Sequence, residues 1–221
     1  FGMKIKASKD NIYPKEFAKT LEGVKGREEE KVVSNLVLRT LKVARYEAEN
    51  KGHFGIASKY YCHFTSPIRR YPDLFIHRVI SKYLEANYVV PEKWLEEHKT
   101  QADERAKQSS EREKIATKVE REAEDLKKAE YMEKRIGEQY EGIVSSVTSF
   151  GIFVELPNTV EGLIRFDDLG DEYFIYDEDR KRLIGERTNK TYKIGDKIAI
   201  EVKSANKLLR QIDFKLAVRT E

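Results

Sequence analysis

Between Met132 and Tyr140 the spacing of apolar residues changes from three and four to two, with Gly137 at the change. This constrains the fold more than any other feature, because a helical and an alternating pattern cannot share one element. Upstream, the run from Pro91 to about Met132 has no interior Gly or Pro and abounds in Glu, Lys, Arg and Ala, which predicts one long helix. Its inner stripe (Ala102, Ala106, Ser109, Ala116, Val119, Ala123, Leu126) is small-sided, so another segment is expected to approach its backbone closely. The same stripe is too small and irregular for a sustained coiled-coil seam, which argues against a helical scaffold. Downstream, Tyr140–Val147, Ile152–Leu156, Gly162–Phe166, Lys197–Lys203 and Gln211–Leu216 read as five strands punctuated by turn residues. Five short strands in so few residues suit a closed barrel of the OB class. Residues 167–190 do not alternate cleanly and read as an insertion between the third and fourth strands.

The rest of the chain reads as helical. Val33, Leu36, Val37, Leu41, Ala44 and Ala48 form one stripe over Glu28–Asn50, with Gly52 as the helix stop. The aromatic-rich stretch 53–65 suits an extended or loop segment. Ser66-Pro67 has the composition of a helix cap, and a further helix is expected from about Pro72 to Ala86. The fold class is therefore α+β, in two domains: a helical part over 1–134 and a barrel over 135–221.

Composition excludes several functions. Of 221 residues, 39% are hydrophobic and 37% charged, and no apolar run approaches the roughly 20 residues that a spanning helix needs. The single cysteine, Cys62, excludes an internal disulfide framework and a four-cysteine zinc site, and it is expected to be buried and inert in a reducing, cytoplasmic setting. Residues 1–132 hold 27 basic and 22 acidic side chains and residues 133–221 hold 15 and 17, so the net +3 hides a basic first part and a mildly acidic second. An anion-binding surface belongs with the first.

One segment concentrates donors for phosphate. In His63-Phe-Thr-Ser-Pro-Ile-Arg-Arg-Tyr-Pro-Asp73, Thr65 and Ser66 offer hydroxyls beside an expected helix start, and Arg69 and Arg70 offer guanidinium forks. Spacing alone leaves two readings: a phosphate-binding loop, or a surface turn with Arg70 paired to Asp73. His53, His63 and His77 read as packed or hydrogen-bonded, and no second histidine stands at metal-ligand spacing from His77.

His63–Asp73, together with the preceding Gly52-His-Phe-Gly-Ile-Ala-Ser-Lys-Tyr-Tyr61, resembles the signature near the C-terminal end of the RNB (ribonuclease II) exoribonuclease catalytic domain. The likeness continues through Ser110-Glu-Arg and Val119-Glu-Arg-Glu-Ala-Glu-Asp-Leu126. The strands after Gly137, with Ser149-Phe-Gly-Ile-Phe-Val154 and Val160-Glu-Gly-Leu-Ile-Arg165, are similar to the S-one-type RNA-binding domain of the same family. The resemblance implies a 3′→5′ exoribonuclease that hydrolyses RNA with metal assistance. It implies that Arg69 holds the scissile phosphate and that Glu120 orients water or the terminal ribose. For Glu120, a solvated carboxylate paired to Lys127 or Lys114 is the plainer alternative. It further implies that Phe150 and Phe153 stack on bases, with Arg165 where the family commonly has histidine. By their own donor chemistry Thr65, Ser66 and Arg70 are read as RNA-binding, Arg70 also forming a structural pair with Asp73 that supports the loop. Lys203, Lys207 and Arg210 are expected to add phosphate contacts. Mg²⁺ would be held by aspartates lying upstream of this chain, leaving no metal ligands here, so the chain is expected to bind single-stranded RNA as a monomer but not to cleave it alone. A non-catalytic RNA-binding module is the alternative.

Overall fold

A computed structural model describes residues 14–27, 30–178 and 180–217. Packing divides the chain into two units, 1–118 and 119–221.

The first unit holds helices α1 (Pro14–Val24), α2 (Glu30–Thr40) and α3 (Tyr71–Glu85) and the first part of α4 (Glu92–Glu133). α1 was not read from the sequence. It packs on α2, with Val24, Val33 and Val37 buried and Phe17 and Leu21 against them. The helix expected over Glu28–Asn50 is shorter: Glu28 and Glu29 and the side chain of Leu36 lie outside the described residues, and α2 ends at Thr40. There the Thr40 hydroxyl donates to the Val37 carbonyl, and the Leu41 N–H reaches back only to Leu38. Beyond Leu41 the stripe continues only with Ala44 and Ala48, too little apolar area to hold a helix down. The strand of chain instead meets α4, where Ser110 Oγ accepts from the Tyr46 N–H at 2.9 Å and lies 3.3 Å from the Tyr46 carbonyl. This contact is made by Ser110, beside the expected inner stripe and not in it. Of that stripe Ala102, Ala106 and Ser109 are half-buried, while Ala116, Val119, Ala123 and Leu126 are exposed.

Gly52 does not stop a helix. At φ +68°, with an added Cβ only 2.8 Å from the Ser58 carbonyl oxygen, it stands at the root of a small loop closed by His53 and Ser58. The aromatic stretch beyond is irregular, as its composition suggested. His53 packs edge-on against Tyr61, and Tyr61 and Tyr46 against His63, while His77 stacks on Phe64 and bonds its carbonyl at 2.8 Å. Cys62 is exposed, not buried.

The second unit is built around the five predicted strands. β1 (Gln139–Thr148), β2 (Gly151–Glu155) and β3 (Glu161–Arg165) form an antiparallel meander. β7 (Lys197–Asn206) and β8 (Gln211–Leu216) form a hairpin that closes the barrel in the order β1-β2-β3-β8-β7, with β3 and β8 parallel. Alternation puts Val144, Ile152, Val154, Ile164, Ile200, Val202 and Phe214 inside. Ala129 and Met132, on the last turns of α4, join the same buried cluster.

The expected insertion between the third and fourth barrel strands has a sheet of its own, formed by the three strands β4 (Phe174–Asp177), β5 (Arg182–Gly185) and β6 (Thr191–Lys193). These strands are only three or four residues long, too short for alternation to show. They are held by Phe174, Leu183 and Tyr192, all buried, and by Glu172, whose carboxylate accepts the Arg187 and Thr188 N–H groups at 3.0 Å each.

Candidate nucleic-acid interface

The phosphate-loop candidate is organised by one residue. Asp73, in the first turn of α3, is fully buried, and its Oδ2 accepts the Ser66 N–H at 2.7 Å and Arg70 Nη2 at 2.8 Å. Burial alone would raise its pKa, but the Ser66 N–H and then the Arg70 guanidinium outweigh it and hold the carboxyl below its ordinary value. The Ser66 carbonyl in turn accepts the N–H groups of Arg69 and Arg70, so residues 66–70 form a pinned turn.

Ser66-Pro67 therefore does not cap α3, which begins at Tyr71 with Pro72 in its first turn. The helix itself starts within one residue of the expected Pro72, whose ring suits the first helical turn. Arg70 is committed to Asp73, whereas the side chain of Arg69 is exposed and has no hydrogen bond or ion pair among the described residues. The Thr65 side chain is likewise exposed beside it. Nearby, Tyr46 Oη lies 2.8 Å from His63 Nδ1. Burial, and then the charge of Glu113, push the Tyr46 phenol above its ordinary value, so it stays protonated.

Glu120 lies in the other unit, on the exposed stretch of α4. Neither expected lysine holds it: Lys127 pairs with Glu130 at 2.7 Å, and Glu120 has no partner among the described residues.

The barrel presents a groove of about 700 Å³. Phe150, 49% exposed, and half-buried Phe153 meet edge to face at 6.2 Å on one wall. Phe153 turns away from buried Ile152 and Val154, as alternation required. Arg165 borders the same groove, 3.8 Å from Asp213. Gly162 lies in the floor, where an added Cβ would meet the Phe214 ring at 2.4 Å. Of the three further cations expected to reach phosphate, each is already paired: Lys203 with Asp168 at 2.8 Å, Lys207 with Glu130 at 3.5 Å and Arg210 with Glu122 at 2.7 Å. Asp125 and Lys128 of α4 also line the groove and were missed. They share a helix face with Ala129 and Met132, whose burial only the structure shows. Among the described residues no group of three or more His, Cys, Asp or Glu is placed to hold a metal ion.

The RNB domain family matches residues 3–86, and the S1 RNA binding domain family matches residues 133–216. Ribonuclease R 1 of Lactococcus lactis is 46% identical over 97% of this chain, and ribonuclease R of Aquifex aeolicus is 40% identical over all of it. The chain belongs to the ribonuclease R family. It spans 26% and 31% of the length of those two relatives. Mycoplasma genitalium ribonuclease R superposes with a TM-score of 0.89 at 31% identity, covering 97% of this chain and 34% of that one. The same bacterial ribonuclease R has been solved in complex with ribose-methylated single-stranded RNA, with an equal TM-score of 0.89.

Proposed function

We propose that this chain supplies the RNA-gripping barrel and the phosphate-holding arginine of a 3′→5′ exoribonuclease. The observation that carries the reading is the division of labour within one arginine pair. Arg70 is spent on buried Asp73, and the turn so pinned presents Arg69 to solvent without a partner. A guanidinium held on a fixed turn can bind two oxygens of a phosphodiester and offset charge that develops on them. Glu120, exposed and unpaired, is available to orient water or a terminal ribose. On the barrel, Phe150 and Phe153 would stack on bases, worth about 1–3 kcal/mol per base without regard to sequence.

Mg²⁺ is the metal that the family resemblance brings with it. The described residues do not fit it, having no cluster of three or more acidic, histidine or cysteine ligands. The part of this chain is to bind, orient and hold charge, as a single copy, and hydrolysis requires acidic ligands from elsewhere in a longer protein. The test is Arg69→Ala in a full-length ribonuclease R carrying this segment, assayed on single-stranded RNA. We expect turnover to collapse while RNA affinity and thermal unfolding stay near wild type. Unchanged turnover would overturn the role of Arg69 and favour a barrel that only binds RNA. Release of nucleotides by the 221-residue chain with Mg²⁺ would overturn the division of labour.

A further inference from the structure

We propose that the RNA groove of the barrel is a composite, with helix α4 as one wall, and that Lys128 of that helix is the cation that takes a backbone phosphate there. The inference rests on the reading of the barrel face as an RNA surface and adds a residue outside the matched S1 segment, which begins at 133.

Three cations line the groove, Lys128, Arg165 and Arg210. Two are already engaged: Arg165 lies 3.8 Å from Asp213, and Arg210 is held by Glu122 at 2.7 Å. For these, an arriving phosphate must replace an existing carboxylate, so the net electrostatic gain is small. Lys128 has no hydrogen bond or ion pair among the described residues. It is also half-buried, so its stem is partly ordered before any ligand arrives and less side-chain entropy remains to be lost. Its backbone is fixed from beneath, because the next residue, Ala129, and then Met132 are fully buried in the barrel core. Lys128 is therefore a charge on a rigid mount, facing the same groove as the edge-to-face pair of Phe150 and Phe153. Aromatic rings for bases beside a free cation for phosphate are what a single strand needs. Asp125, one turn earlier on the same wall, repels phosphate, which confines the backbone contact to the Lys128 end.

The test measures binding of a labelled pyrimidine-rich RNA of about 12 nucleotides to the 221-residue chain over a salt series. Lys128→Gln keeps most of the stem and removes the charge, and its melting temperature, expected to match wild type, separates binding from folding. The expected result is a loss of roughly three- to tenfold in affinity at low salt, with the log–log salt slope shallower by about 0.7, the value of one phosphate contact to a single strand. Between 50 and 200 mM salt the gap to wild type then narrows by about 2.6-fold. Lys128→Arg should restore most of the affinity, and Arg210→Gln should change the slope less than Lys128→Gln. Wild-type affinity and slope in Lys128→Gln would overturn the inference, as would a larger slope change in Arg210→Gln. A Phe150→Ala/Phe153→Ala variant separates the two levels. If it loses binding while Lys128→Gln does not, only the helix wall falls. If it binds as wild type, the RNA reading of the barrel falls and the inference with it.

Discussion

Gly162→Ala should unsettle the barrel from its centre. A Cβ at that position would stand 2.4, 2.6 and 2.7 Å from three carbons of the Phe214 ring. Carbon atoms prefer about 3.5–4.0 Å, so the ring must retreat by roughly 1 Å. It has little room to do so: Phe214 is fully buried, and Ile164, its register partner on β3, is fully buried too. Overpacking of this kind costs about 1–3 kcal/mol. In a unit of this size that lowers the melting temperature by roughly 5–15 °C, measured by circular dichroism on the whole chain. The cause can be checked by pairing the change with Phe214→Leu, which removes the atoms that clash. If the clash is the mechanism, the double variant is more stable than the two single losses combined, by more than about 0.5 kcal/mol. A melting temperature for Gly162→Ala within about 1 °C of wild type would refute the reasoning, as would strict additivity.

Two further outcomes follow from buried groups. Met132→Ala empties a fully buried site where α4 joins the barrel core and should cost about 2–5 kcal/mol, seen as a lower denaturant midpoint. Asp73 has a pKa below its ordinary value of about 3.8, so the stability that its carboxylate contributes is complete above that pH and is lost as pH falls through the lower folded value. Acid unfolding should therefore show a destabilising limb below about pH 4 that Asp73→Asn lacks, and equal acid limbs in the two proteins would count against the Asp73 bridge.

The sequence was most legible where one physical rule governed a long stretch. The strands of the barrel alternate because each has one face in the core, and α4 could be bounded by Pro91 and the glycine at 137 because nothing between them breaks a helix. It was least legible where pairing is short or remote. The sheet of the insertion is held by three buried side chains from strands of three or four residues, below the length at which a period can be recognised. After Thr40 ends α2, the chain is held at Tyr46 by Ser110, 64 positions downstream, which no local pattern reveals. At the phosphate loop, the Arg70–Asp73 pair was one of the two readings on offer, but that it leaves Arg69 free became visible only with Asp73 buried beneath the turn. Lys128 was overlooked because a charge on a charged helix carries no signal until the face it occupies is known.

The parallel pairing of β3 with β8 has a consequence for synthesis. Leu163 and Asp213 are neighbours across the closed barrel, yet 50 positions separate them along the chain. At about 5–20 residues per second, the ribosome takes roughly 2–10 s to deliver the second after the first. During that interval the nascent chain can form its β1–β3 meander and the locally paired sheet of the insertion, while β3 waits with an open edge. Such an edge invites a stray strand from a neighbouring polypeptide. The last six residues of the barrel therefore act as its clasp, and a ribosome that stalls before Gln211 leaves an open, adhesive sheet in place of an RNA-binding surface.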